Sequence, residues 1–210
     1  MLGTHRGMSS SVVGRLAGRP QGAAGPAFDL VAAKLLRPMV RPGTIRRSAL
    51  IERLSQDDGP PIVSVVAPAG YGKTTFLTDW AERNPHGFAW VSVDEADNDP
   101  KVLLTYVAEA LNAVEPIGQR VFDALASPAS SVHGSVVPRL GAAFSSMTAP
   151  VVLVLDDVHL LDNSECRSAL SVLADHVPLG SRLVLARAGR AAAAGRAAAR
   201  GGQASGDRAD

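Results

Sequence analysis

The chain has 210 residues, 46% of them hydrophobic, which suits one domain with a sizeable core and two tails. Its single cysteine, Cys166, rules out an internal disulfide and fits a reducing, cytoplasmic setting, and no apolar run approaches the roughly 18 residues that cross a bilayer. The net charge of +1 hides an asymmetry: residues 1–47 hold eight Lys/Arg against Asp29 alone, residues 182–210 hold six against two acids, and the middle holds seven against seventeen, which argues against a broad nucleic-acid surface there.

Residues 1–27 mix Gly, Ser, Arg and Ala without periodicity and without a signal-peptide core, so they are predicted to form a disordered basic tail. Their Arg-rich, acid-poor composition resembles a transit peptide; a start codon placed too early accounts for it better, with Met8 as a later candidate. The folded domain is expected over residues 28–187. It begins with a short apolar segment (Leu30, Val31, Leu35, Leu36), an extended stretch marked by Pro38, Pro42 and Gly43, and a helix from Ser48 with Leu50, Ile51 and Leu54 on one face. Asp58-Gly59-Pro60-Pro61 stops that helix.

The β-branched run 62–66 then delivers the chain to Ala67-Pro68-Ala69-Gly70-Tyr71-Gly72-Lys73-Thr74-Thr75. A buried strand, a turn with two glycines and a following helix is the order a phosphate cradle requires. The glycines let backbone N–H groups point inward, and the helix brings its positive end to the same spot. Gly70, Tyr71, Gly72, Lys73, Thr74 and Thr75 are the expected phosphate-binding residues, with Lys73 reaching the outer phosphates and the Thr74 hydroxyl ligating Mg²⁺. The match to G-x-x-x-x-G-K-[ST] departs at its first position, where Ala67 stands.

A helix is predicted over 75–83 with Phe76, Leu77, Trp80 and Ala81 inward, then a strand over 87–93. The acidic run 94–99 lacks the glycine and closing glutamate of a calcium loop; Asp99 is expected to cap a helix opened by Pro100, with Leu103, Val107, Ala110, Leu111 and Val114 facing the core. Packing helices follow around 120–125 and 136–147. The run 151–155 reads as a central parallel strand buried on both faces and lying beside the first. It ends in Asp156-Asp157. Asp156 is the expected metal carboxylate and Asp157 the residue that polarises an attacking water. His159 and Asp162 stand nearby, but without further ligands a structural hydrogen bond is the expected role of His159. Asp162-Asn163-Ser164-Glu165 reads as a capping box for a helix that turns Cys166 into the core, and 181–187 as a fourth strand. Strands alternating with helices imply an α/β fold, a three-layer P-loop NTPase with a mostly parallel sheet of four recognisable strands. Such a sheet would normally receive another strand. Residues 188–210 are Ala/Gly/Arg-rich and are predicted to be a second disordered tail.

With these residues in view, the chain resembles the N-terminal ATPase region of the large ATP-binding LuxR-type transcription regulators, maltose-regulon-activator-like members of the STAND-class signalling NTPases. The likeness rests on Lys34-Leu35-Leu36-Arg37-Pro38 with Arg41-Pro42, on the loop 67–75, on Trp90-Val91-Ser92-Val93-Asp94-Glu95 with Asp97-Asn98-Asp99-Pro100, and on Leu153-Val154-Leu155-Asp156-Asp157-Val158-His159. The resemblance implies an ATP/ADP switch with Mg²⁺, self-association through the NTPase domain, an approach of the Arg46–Arg47 segment to the adenine, and Arg187 as the arginine that reads the γ-phosphate. The family usually has serine before that arginine, where Ala186 stands here. Family members continue into further domains ending in a helix-turn-helix, so a truncated or frameshifted reading frame is expected. Direct sequence-specific DNA binding is not expected of this chain. Two other readings remain open: a free-standing P-loop ATPase or small-molecule kinase, and an inactive remnant.

Overall fold

The computed structural model describes residues 28–39, 47–56 and 59–189. Four strands, β1 (Ile62–Ala67), β2 (Gly87–Ser92), β3 (Val151–Asp156) and β4 (Arg182–Ala188), form one sheet in the order β1-β4-β3-β2, and every pairing is parallel. Six α-helices lie between and before them: α1 (Ser48–Leu54), α2 (Lys73–Arg83), α3 (Pro100–Val114), α4 (Gln119–Ala126), α5 (Val137–Ser145) and α6 (Ser164–Ala174). Residues 1–27 and 190–210, expected to be tails, and Arg41, Pro42, Gly43, Arg46 and Asp58 lie outside the described residues.

Side chains alternate across a strand, so the sheet sorts its apolar residues into two cores. Phe88, Trp90, Val152, Val154, Val184 and Ala186 face α1 and α2, meeting Ile51, Phe76, Leu77 and Trp80. Ala89, Val91, Leu153, Leu155 and Leu183 face the other way, into a larger core built by α3 to α6 with Leu104, Leu111, Leu140, Phe144, Cys166 and Leu173. This is the expected three-layer α/β architecture. Strand β3 is buried at all six positions, as its unbroken apolar run predicts.

One placement differs from expectation. Strand β3 does not lie beside β1, because β4 pairs with both and stands between them. Two strands with apolar middles carry no label of their order in the sheet; the pairing decides it.

The helix starts follow local chemistry. The Asp99 carboxylate accepts from the Lys101 and Val102 amides at 2.8 and 3.1 Å, with Pro100 in the first turn, as expected. At α6 the cap is Asn163, whose Oδ1 accepts from the Glu165 amide at 2.8 Å, rather than Asp162 in a box with Glu165. A reciprocal capping box is formed instead by Asp94 and Asp97, on the short 3-10 turn Glu95–Asp97. The predicted helix over 136–147 starts as a π turn, Val132–Val136, that runs into α5.

Two polar anchors fix the loops at the carboxyl ends of the strands. Lys34 Nζ meets Asp94 Oδ1 at 2.8 Å and Asp97 Oδ1 at 2.7 Å, and lies 4.8 Å from the centre of the Tyr106 ring, which seats the segment preceding α1 on the end of β2. Asn98 donates from Nδ2 to the Leu160 carbonyl at 2.8 Å, while its Oδ1 accepts from the Asp162 and Asn163 amides at 2.7 and 3.0 Å. The loop after β2 thereby holds the loop after β3, which carries the acidic pair. At the opposite end of the sheet, the buried Arg182 guanidinium donates to the Leu54 and Gln56 carbonyls and closes the carboxyl end of α1.

Candidate nucleotide site

The chain leaves β1 at Ala67 and turns through Pro68 to Gly72 before α2 begins. Gly70 and Gly72 sit at φ 78° and 75°, in the left-handed region where a Cβ is penalised, and Gly72 is the residue that opens α2. The amides of the first helical turn therefore face the loop's interior. Lys73 is 93% removed from solvent, and its Nζ donates to the Ala67 carbonyl at 3.3 Å, folding the side chain back across the loop. Arg47, just before α1, donates from Nη2 to the Tyr71 carbonyl at 3.0 Å.

Facing the loop is the carboxyl end of β3. Asp156 is buried and accepts the Thr74 hydroxyl on Oδ2 at 2.6 Å, across 82 residues of sequence. Its other oxygen, Oδ1, is buried without a hydrogen-bond partner among the described residues. Burial pushes the Asp156 carboxyl above its ordinary range, and the Asp157 charge adds to this; the Thr74 hydroxyl and Lys73 pull the other way without overcoming it. A hydroxyl and a partly unpaired carboxylate in contact at the head of a phosphate loop are the donor set a hard divalent cation takes. The residues present therefore fit Mg²⁺.

Asp157 follows at φ 63°, the one non-glycine residue with positive φ among those described. Such a backbone is sparsely populated for a residue with a Cβ and clusters at functional sites. Ala69, Gly70, Gly72, Lys73, Thr74, Thr75, Asp157, His159, Leu160 and Ala188 enclose a cleft of about 470 Å³. The structure thus brings together Gly70, Gly72, Lys73, Thr74 and Thr75 with Asp157 at the cleft and Asp156 behind it. Tyr71 points outward, 61% exposed, and its contribution to the loop is its backbone. Arg187 is also exposed and stands outside the cleft's lining, in register with Val66; the next residue, Ala188, reaches the cleft. Motif reading did not single out Ala188 or Leu160, because their place depends on the order of strands. His159 has the hydrogen bond expected of it, since its Nδ1 accepts from the Ala188 amide at 3.3 Å.

A larger groove of about 740 Å³ lies at the other end of the sheet, between the α3–α4 connection and α5. Its walls are mostly apolar and it has neither a glycine loop nor a strand-end carboxylate. The Glu115 carboxylate there is occupied by the Thr148 amide and hydroxyl and the Ala149 amide, which hold it below its usual range. The glycine loop and the strand-end acids make the smaller cleft the candidate nucleotide site.

Comparison with known proteins agrees with this geometry. A family model described as an AAA ATPase domain matches residues 46–185, two thirds of the chain and the whole of the sheet up to the middle of β4. The chain belongs to the AAA ATPase domain family. Over 157 residues, 74% of its length, this AAA domain is 29% identical to the HTH-type transcriptional regulator MalT of Klebsiella pneumoniae (strain 342) and to that of Yersinia enterocolitica. The match covers 17% of each of those proteins, so the chain corresponds to about one sixth of their length. No helix among the described residues is long and apolar enough to cross a membrane.

Proposed function

We propose that this AAA domain is the ATP-binding module of a transcriptional regulator and acts as an ATP/ADP-dependent signalling switch. The observation that carries the reading is the 2.6 Å bond between Thr74 Oγ1 and Asp156 Oδ2, with Asp156 Oδ1 left unpartnered. It joins two motifs 82 residues apart into one metal-binding corner. The amides and side chains of Gly70, Tyr71, Gly72, Lys73, Thr74 and Thr75 hold the phosphates, with Lys73 released from the Ala67 carbonyl to meet them. Thr74 and Asp156 would hold Mg²⁺, which would supply charge neutralisation to the phosphates. Asp157, at the rim of the cleft, orients water. The sensing of the terminal phosphate by Arg187 rests on the family resemblance alone, since Arg187 is exposed and stands outside the cleft's lining.

The regulator role is supported by the similarity to the MalT transcriptional regulators, and self-association through this domain belongs to the same proposal. DNA contact is not proposed for the described residues, whose strand-end loops carry the acidic run 94–99 and the pair Asp156-Asp157. The test is titration of the purified chain with ATP and with ADP in Mg²⁺, alongside Lys73→Ala, while phosphate release is followed. Binding that Lys73→Ala abolishes, with little release, is the expected result. Brisk turnover would instead make the chain a working ATPase, and binding indifferent to Lys73 would overturn the site.

A further inference from the structure

The groove of about 740 Å³ between the α3–α4 connection and α5 is a part of the larger core left uncovered. Val121 on its floor is buried, and Ile117, Ala143 and Met147 are half-buried and pack against that core. Helix α5 shows why the floor stays open. Its Val137, Leu140, Gly141 and Phe144 are buried at helical spacing and form the inward face. Arg139, Ala142, Ala143 and Ser146 recur at i, i+3, i+4 and i+7, which puts them on a second face, and all four line the groove. Three of the four are small, so another backbone can come close to α5 there. Gly118, which opens α4 on the facing wall, has nothing within 4 Å of where a Cβ would stand, so that wall is low as well.

The free charge at the rim has one sign. Glu115 is the acid of the lining, and its Oε2 is engaged by the Thr148 amide and hydroxyl at 3.0 Å each and by the Ala149 amide at 3.4 Å. Arg139 Nη1 donates to the Ser135 carbonyl and hydroxyl at 2.9 and 2.7 Å, which ties the guanidinium to the π turn before α5. Its Nε and Nη2 have no partner among the described residues, and neither has the exposed Arg120. Residues 48–181 hold seven Lys/Arg against seventeen acids, and two of those seven line this groove. A cation pair over an apolar floor is therefore out of keeping with the acidic part of the chain around it.

We propose that this groove is the docking site for an acidic amphipathic helix of a protein partner. The helical form follows from the wall, because a face of small side chains about two turns long receives a second helix by ridge-and-groove packing. Apolar residues of the partner at i, i+3 or i+4, and i+7 cover Ile117, Val121 and Met147. The sign follows from the rim: carboxylates flanking that apolar stripe meet Arg120 and Arg139, and a basic helix is repelled. Arg139 is already held by Ser135, so little side-chain freedom is lost when it binds. The groove lies at the other end of the sheet from the phosphate loop, and the inference does not depend on the nucleotide reading.

The test uses the full chain, ¹⁵N-labelled, and two synthetic helical peptides with Leu and Ala along one face, one carrying Glu and its twin Lys on the other. The Glu peptide should bind and shift amides within 115–121 and 139–147, while the Lys twin should leave them in place. Arg139→Gln should weaken the Glu peptide about tenfold. Ala142→Trp, which fills the groove from an exposed position, should abolish binding with Tm unchanged; Arg139→Gln, which leaves the groove's shape alone, decides the matter should the tryptophan lower Tm. No binding, shifts elsewhere in the chain, equal binding of the two peptides, or indifference to Arg139→Gln overturns the proposal. Hexanoate shifting the same amides as strongly as the peptide also overturns it, by making a small amphiphilic anion the occupant.

Discussion

Arg47 holds Tyr71 by its backbone: the guanidinium Nη2 lies 3.0 Å from the Tyr71 carbonyl. The C=O of Tyr71 and the N–H of Gly72 belong to one planar trans peptide and point in opposite directions. Holding the carbonyl outward therefore aims the Gly72 amide into the cradle. Arg47→Ala should weaken nucleotide binding about threefold to tenfold and shift Tm little, because the bond is exposed. Calorimetry on the variant checks this; unchanged affinity would remove Arg47 from the loop's support.

Asp156 predicts a trade of stability for function. Its carboxyl is raised by burial, so the native state binds that proton more tightly than the unfolded chain does. Its favourable contribution is complete below the ordinary aspartate range and is lost as pH rises through the raised value. Asp156→Asn should therefore stabilise the ligand-free protein at pH 8 by about 1 kcal/mol, and the gain should shrink toward pH 4. The same variant should lose the added Tm that ATP with Mg²⁺ confers. Urea melts across pH, with and without nucleotide, measure both.

Gly72→Ala tests the left-handed turn. An added Cβ would meet nothing nearer than Thr75 Cβ at 4.0 Å, so the cost is that of φ 75° itself, about 1–2 kcal/mol. Gly70→Ala, with open space around it at φ 78°, should cost a similar amount. A melt unchanged in both variants would mean that the loop adopts another path.

Lys34 is the partner of a carboxylate with no solvent exposure, since Asp97 is wholly buried. Lys34→Met should destabilise the domain by about 3 kcal/mol, and adding Asp97→Asn should recover part of it. Burial alone would pull the lysine pKa down, yet the bonds and charges of Asp94 and Asp97 outweigh it and hold the pKa above its ordinary value. The contribution is therefore complete below pH 10 or so and fades only as pH rises through that raised value. Stability of the wild type measured from pH 7 to 11 should show the loss at the alkaline end.

The phosphate loop and the acidic pair were legible in the sequence because each is local: two glycines before Lys73-Thr74, and two acids where an apolar run stops. The cap at Asp99 and the buried Cys166 were legible for the same reason. The order of strands was not, since β3 and β4 both have apolar middles and only the observed pairing, β4 with β1 and with β3, tells them apart. The roles of Ala188 and Leu160 at the cleft follow from that order, as does the distance of Arg187 from it. The cap at Asn163 was missed by one residue, because Asp162 and Asn163 are both good acceptors and the backbone at the turn chooses. The left-handed Asp157 left no mark in the sequence.

The two halves of the metal corner hang from strands of unlike support. Strand β3 is enclosed at every position, whereas β1 has a neighbour on one side only among the described residues and alternates exposed with half-covered positions, Ile62 at 37% and Val66 at 47%. Local opening draws on the least enclosed backbone first. Asp156 is then the fixed jaw of the clamp and the glycine loop is the moving one. Hydrogen exchange should see the β1 amides open well before those of β3, and bound nucleotide should slow the first while leaving the second as it was.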